Sequence, residues 1–430
     1  MFTSDCLGVE NGHLTIGGVD TVELAHKFGT PLYVIDEATV RKNCRKFLTT
    51  MSSNYKDSKV IFASKALNCL EMCRVVTDEG LGLDVVSAGE LYTAIKAGVN
   101  PSDIYFHGNN KTADEIDFAI KSDLGTFIAD NSYELNTINK TANKYGKKQR
   151  VMLRIKPGID AHTHDFIRTG QIDSKFGFAL ENGEAYEGVK TAIKYDNIEL
   201  VGLHCHIGSQ IFEDKPFVEA ATVMLNFYKK IKDELNITLP ELNLGGGFGI
   251  KYTENDDPTA YEVFMNDVAH TVNKYCDENG LAVPKIIIEP GRSIVGEAGI
   301  TLYTVGGVKE IENVRNYVSV DGGMGDNPRY ILYQSQYSVL NASKADEKCD
   351  YVATVAGKCC ESGDVIQPDV AIKKPEVGDT LAVLSTGAYN YSMASNYNRI
   401  PRPCMVMIKD KQARVIIKRE TYEDLIRNDI

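Results

Sequence analysis

Four kinds of residue in this chain could converge on one reactive centre. Lys65 follows an apolar run in FASKAL, and His204 and His206 stand in HCHIGSQ. Gly245, Gly246, Gly247 and Gly249 fall in LNLGGGFGIKY, and Glu289 in IIIEPGRS with Pro290, Gly291 and Arg292 behind it. A lysine amine can form a Schiff base with an aldehyde. A glycine run leaves backbone N–H groups uncovered, which suits a bound phosphate. An acid beside a ring nitrogen keeps that nitrogen protonated by charge pairing. One coenzyme asks for all of these at once: pyridoxal 5'-phosphate, whose protonated ring takes up the electrons of a carbanion. Each group alone has a plainer reading. A lysine at a strand–helix junction is often a surface residue, and a glycine cluster is often a tight turn.

These groups need elements that hold them together. Short apolar runs alternate with longer amphipathic stretches: 59–63, 81–86, 103–106, 125–129, 150–155, 198–205, 241–244 and 285–288. Runs that are apolar throughout suit strands buried on both faces, and stretches such as 90–97 and 217–234 suit crossover helices. Eight such strands predict an α/β fold with a parallel (β/α)8 TIM barrel, against an open doubly wound sheet as the rival. Reactive groups then belong at the C-terminal ends of the strands, and a phosphate site at the loops after strands seven and eight. This places Lys65, Asp84, His107, Arg154 and Glu289 at or near one mouth. A charged residue such as Arg154 inside a barrel strand needs a partner. One of His204 and His206 is expected to face the mouth. Two histidines around Cys205 could suggest zinc, but no third ligand lies at standard spacing, so no metal is expected.

After residue 300 the pattern changes to short alternating strands with turn residues between them, which predicts a mostly antiparallel β domain of sandwich or Greek-key-barrel type. The expected division is residues 35–290 for the barrel and residues 1–34 with 291–430 for the β domain. The chain has 430 residues, 43% hydrophobic and 25% charged, with a net charge of −12. That acidity argues against nucleic acid and anionic membrane as partners. The ten cysteines are irregularly spaced. With no signal peptide in the first residues and no apolar run long enough to span a membrane, they read as reduced thiols of a cytoplasmic protein.

The motifs FASKA, PGIDAHTH, DSKFGF, HCHIGSQ, NLGGGFG, EPGRSIVG, DGGMGDNPR, CESGD and YSMASNYN follow one another in a single order. In that order, nearly end to end from 28–36 to 387–398, the chain resembles the fold-type III pyridoxal-phosphate decarboxylases that act on ornithine, diaminopimelate and arginine. The resemblance implies Lys65, His206 and Cys360 as catalytic residues. Lys65 would carry the coenzyme and His206 would stack on its ring. Ser209 and Gly247, with Gly245, Gly246 and the segment Glu289, Pro290, Gly291 and Arg292, would line the phosphate end. Glu289 would face the pyridine nitrogen, and Asp84, Arg154 and Tyr389 would complete the cofactor site. Cys360 and Glu361 would act from the β domain of a second subunit in a head-to-tail homodimer. Two departures are visible. Leu67 stands where many relatives carry Asn, with Asn68 following, and Cys359 precedes Cys360.

A substrate ending in an amine needs one distal acid. Diaminopimelate ends in an amine and a carboxylate, and so needs an acid and a base. The chain offers Glu361 for the ammonium, Arg292 and Arg329 for the carboxylate, and Tyr333 and Tyr389 as further contacts. Arginine's planar fork suits a carboxylate. The resemblance therefore implies decarboxylation of meso-2,6-diaminopimelate to L-lysine and CO2, the last step of lysine biosynthesis, with Cys360 or Lys65 delivering the proton. The alternatives are a decarboxylase of ornithine, arginine or carboxynorspermidine, a racemase on the same scaffold, and a non-catalytic pyridoxal-phosphate carrier.

Overall fold

The computed structural model describes residues 2–159 and 173–430. The motif PGIDAHTH, from Asp160 onward, lies outside them. The chain forms two compact units, one of residues 43–249 and 258–291, the other of residues 1–42, 250–257 and 292–430. Relative to the expected division, the second unit reaches further along the N-terminal segment and takes in the loop at 250–257.

The first unit is a closed barrel. Its strands are β1 (Ser58–Ala63), β2 (Gly82–Val85), β3 (Ile104–Phe106), β4 (Thr126–Ala129), β5 (Gln149–Lys156), β6 (Ile198–His204), β7 (Glu241–Asn243) and β8 (Lys285–Ile288). All neighbours pair in parallel, and β8 pairs with β1 to close the ring. That closure excludes the open sheet. The interior is filled by Ile61, Tyr105, Ile128, Met152, Val201 and Ile287, one from each of six strands. Such a layer makes the barrel a packed core and confines chemistry to its ends. The crossover helices start and stop where the side chains dictate. Ser87 caps Ala88–Ala97 by accepting from the Glu90 N–H, and the helix ends at Gly98 in the left-handed conformation. Thr112 and Glu115 form a capping box on Ala113–Lys121. Such caps satisfy end N–H groups that have no partner within the helix.

The second unit is mostly antiparallel. Its hub is the long strand Gly299–Ile311, which pairs antiparallel with Leu32–Asp36, Thr380–Val383 and Arg315–Val320. Leu32–Asp36 also pairs in parallel with Cys404–Lys409. The first residues form a separate small sheet of Leu7–Glu10, His13–Ile16 and Val19–Asp20. Two apolar clusters hold this unit, one around Leu14, Val34 and Leu302, the other around Tyr303, Val318 and Val355. All ten cysteines are free, and Cys69 and Cys73 are buried. Among the described residues no helix is long and apolar enough to cross a membrane.

Candidate active site

The barrel mouth is built from strand ends. Lys65 sits in the single turn Ser64–Ala66 just past β1, exposed, on a backbone held by Ser64, whose Oγ donates to Asp84 O at 2.6 Å. Asp84 lies in β2, His107 follows β3, Arg154 lies in β5, His204 ends β6, Asn243 ends β7 and Glu289 follows β8. All six are buried. Ala63 N–H donates to Pro290 O at 3.1 Å, which joins the turn of Lys65 to the segment of Glu289. A Cβ on Gly291 would come within 2.9 Å of Ala63 Cβ, so that junction admits only glycine.

Glu289 is the centre of this cluster. Its Oε1 accepts from Asn243 Nδ2 at 2.7 Å and lies 2.9 Å from His107 Nε2, and its Oε2 accepts from His204 Nε2 at 3.1 Å. Burial works against its charge, but His107 and His204 beside it hold the carboxyl well below its usual range. Burial also pushes His204 down to about 4, so at neutral pH it donates as a neutral imidazole. Asp84 goes the other way, raised by burial and by the Glu289 charge against the pull of His107, which stands 3.8 Å from it. The two buried acids thus shift in opposite directions, Glu289 down and Asp84 up. Arg154 lies with its guanidinium 4.1 Å from the Phe176 ring, among the charges of Asp130, Glu289 and Asp84.

His206 lies past the end of β6. Its pKa is lowered well below the ordinary value, by burial first and then by the charge of Lys65. His204 and His206 both stand among the charges of Glu289 and Arg154. The glycine loop packs directly beneath. Gly246 N–H donates to His206 Nδ1 at 3.4 Å, and Gly245 N–H to Asn243 Oδ1 at 2.9 Å. A Cβ on Gly246 would sit 2.1 Å from Glu289 O, and one on Gly247, at φ 115°, 2.5 Å from Gly208 O. No side chain fits there, so both positions require glycine. Ile211 N–H donates to Gly247 O at 2.9 Å, which draws the Ser209 loop beside the glycines.

The other expected residues lie in the second unit. Arg292 and Arg329 are both buried. Arg292 Cζ stands 4.7 Å from the Tyr389 ring centroid, and Arg329 Cζ stands 5.6 Å from Tyr389 and 5.5 Å from Tyr333. Tyr389 holds φ at 71°, a conformation that costs a non-glycine residue energy and is retained where a site demands it. Cys360 and Glu361 are exposed on a separate loop whose backbone is clamped. Cys359 N–H donates to Asp364 Oδ2 at 2.7 Å and Cys360 N–H to Asn398 Oδ1 at 2.7 Å. Asp364 Oδ1 also accepts from Met324 N–H at 2.6 Å, which ties the loop of Cys360 to the DGGMGDNPR loop of Arg329.

Sequence reading missed several of these residues. Asn243 was visible as a polar residue between two leucines at a strand end. Glu90, which accepts from Val86 N–H at 2.7 Å, feels the charge of Lys65 and Asp84. Only the fold brings it there.

A barrel mouth with a lysine past β1, a glycine loop past β7 and an ionised, triply contacted carboxylate past β8 has the donor set of a pyridoxal-dependent enzyme. Residues 37–296 match the family model of the pyridoxal-dependent decarboxylases, pyridoxal binding domain. The diaminopimelate decarboxylase of Bacillus subtilis (strain 168) is 47% identical over 421 residues, covering 98% of this chain and 96% of its own. The crystal structure of the M. jannaschii diaminopimelate decarboxylase in co-complex with L-lysine superposes with a TM-score of 0.93 at 37% identity, covering 100% of this chain and 99% of that one. The Helicobacter pylori enzyme complexed with L-lysine gives 0.85 at 33% identity, over 95% and 98%. The chain belongs to the diaminopimelate decarboxylases within the pyridoxal-dependent decarboxylase family.

Proposed function

We propose that this chain binds pyridoxal 5'-phosphate at Lys65 and decarboxylates meso-diaminopimelate to L-lysine and CO2, the last step of lysine biosynthesis. The observation that carries the substrate is Arg329. It is buried, its Nε has no hydrogen-bond partner, and among the described residues it forms no ion pair with an acid. Burial works against its charge, yet the guanidinium stays above its ordinary pKa beside Tyr337, Tyr252 and Tyr389. A buried charge left without a counter-ion costs several kcal/mol. A carboxylate on the ligand supplies that counter-ion, and a substrate ending in a bare ammonium does not.

The barrel residues fit the coenzyme. Lys65 holds it covalently through Nζ. Glu289, kept ionised and fixed by His204 and Asn243, pairs with the ring nitrogen's proton. Gly245, Gly246, Gly247, Ser209, Pro290 and Gly291 would hold the phosphate end, and Asp84, Arg154 and His206 would hold the ring. The bound coenzyme supplies a cationic ring that accepts the electron pair left when CO2 departs. In the second unit, Arg292 and Arg329, with Tyr333 and Tyr389, bind and orient the distal carboxylate. Cys360 Sγ and Lys65 Nζ carry the protons available to the substrate carbon. Cys360 and Glu361, exposed on their own subunit, serve the site of a second copy, so the working form is a homodimer.

The test is direct. Purified protein incubated with pyridoxal phosphate and meso-diaminopimelate forms lysine and CO2 in equal amounts. The Lys65→Ala protein forms neither and lacks the visible absorbance of the lysine-bound coenzyme. Absence of lysine from the wild-type reaction rejects the reading.

A further inference from the structure

Two buried guanidiniums share one aromatic ring in the second unit. Arg292 Cζ and Arg329 Cζ each lie 5.6 Å from the centroid of Tyr252. Arg292 Nη1 also donates a hydrogen bond to Tyr252 Oη. Tyr252 is itself fixed at every end. Its N–H donates to Asp256 Oδ2 at 3.0 Å and its carbonyl accepts from Ser338 N–H at 3.1 Å. Its ring meets that of Tyr337 edge-on at 5.3 Å, inside an apolar cluster that includes Ile250 and Tyr303. The ring is thus a fixed point against which both arginines lie.

We propose that Tyr252 is a specificity-determining positioning residue that holds Arg292 and Arg329 as one receptor for the substrate's distal carboxylate. This rests on the carboxylate reading given above. Like charges held in a buried place repel, and Tyr252 offsets that as an uncharged partner to both, accepting from Arg292 at its hydroxyl and standing 5.6 Å from Arg329. An acid in that position would quench the pair by taking the forks a ligand needs. A tyrosine leaves the charge intact and fixes the planes of the guanidiniums. A fork set in advance binds a carboxylate bidentately with less ordering cost than a free side chain. The same fixed positive pair repels a ligand that ends in ammonium alone, so one residue serves affinity and discrimination together.

The test uses full-length protein and the variants Tyr252→Phe and Tyr252→Leu. Two quantities are measured: KM and kcat for meso-diaminopimelate, and the calorimetric Kd of pimelate, a dicarboxylate with no amine to react. Loss of the ring in Tyr252→Leu raises KM and the pimelate Kd by about tenfold or more, and by a larger factor than kcat falls. Tyr252→Phe keeps the ring and loses only the acceptor for Arg292, so it recovers most of that loss and retains a several-fold weakening of pimelate. Unchanged pimelate affinity in Tyr252→Leu, or a fall in kcat with KM unmoved, overturns the proposal. Where the leucine variant fails to fold, Tyr252→Phe decides: a several-fold rise in the pimelate Kd supports the role, and none overturns it. Wild-type protein that binds pimelate but releases no lysine from diaminopimelate sinks the substrate reading while the pimelate ratios still judge Tyr252.

Discussion

His204 donates from Nε2 to Oε2 of Glu289 at 3.1 Å, and burial keeps that histidine neutral. His204 therefore orients the acid without neutralising it. Asn243 does the same at the other oxygen.

That arrangement has a pH signature. His204 falls from its ordinary 6.5 to about 4 in the folded barrel. A depressed histidine lets the unfolded chain take up a proton first. Its contribution to stability is thus complete above pH 6.5 and is lost as pH falls toward 4, to a limit of about 3 kcal/mol. Urea titrations of the apoprotein across this range show the decline. His204→Gln, which keeps a donor for Glu289 and cannot titrate, removes that part of the slope.

Arg329→Leu weakens diaminopimelate binding about a hundredfold, by losing a charge-assisted fork. An analogue without the distal carboxylate loses much less. Inhibition constants for the two ligands on both proteins make the comparison, and equal losses remove Arg329 from the substrate site.

Glu90 is raised to about 7, chiefly by burial, with the charge of Asp84 adding to it. It is protonated below that pH and ionised above, so it adds negative charge beside Lys65 only on the alkaline side. The pH profile of kcat/KM shows an inflection near 7 that Glu90→Gln abolishes. A profile identical in the two proteins removes Glu90 from the electrostatics of Lys65.

Asp364→Ala leaves the N–H groups of Met324 and Cys359 without their acceptor. One buried and one part-buried donor deprived of partners cost about 1–4 kcal/mol, read as a lower urea midpoint. Gly357→Ala acts on the same junction by sterics, since its Cβ would stand 2.2 Å from Asp364 Oδ2. Its unfolding midpoint falls as well.

The barrel was legible because each strand is short, apolar and bounded by turn residues, so its position follows from local pattern. The eight expected runs and the eight strands coincide within a residue or two at their ends. Lys65, Glu289 and the glycines were legible because strand ends define the mouth of such a barrel. The contacts that tune them were not. His107 could be placed at the end of β3, but its partner Glu289 follows β8, and no periodicity links the two. Tyr252 was hidden for a different reason. It stands in a loop after the glycine run, and its meaning lies in the two arginines that only the folded second unit gathers around it.

Strand β8 pairs with β1, and that seam joins the segment of Glu289 to the turn of Lys65 although most of the barrel sequence separates them. A growing polypeptide that has not yet made its eighth strand carries Lys65 without Glu289. On the proposed reading, capture of the coenzyme would be a late event in biogenesis, awaiting a contact of high sequence separation. Appearance of bound-coenzyme colour during refolding times the sealing of the cylinder.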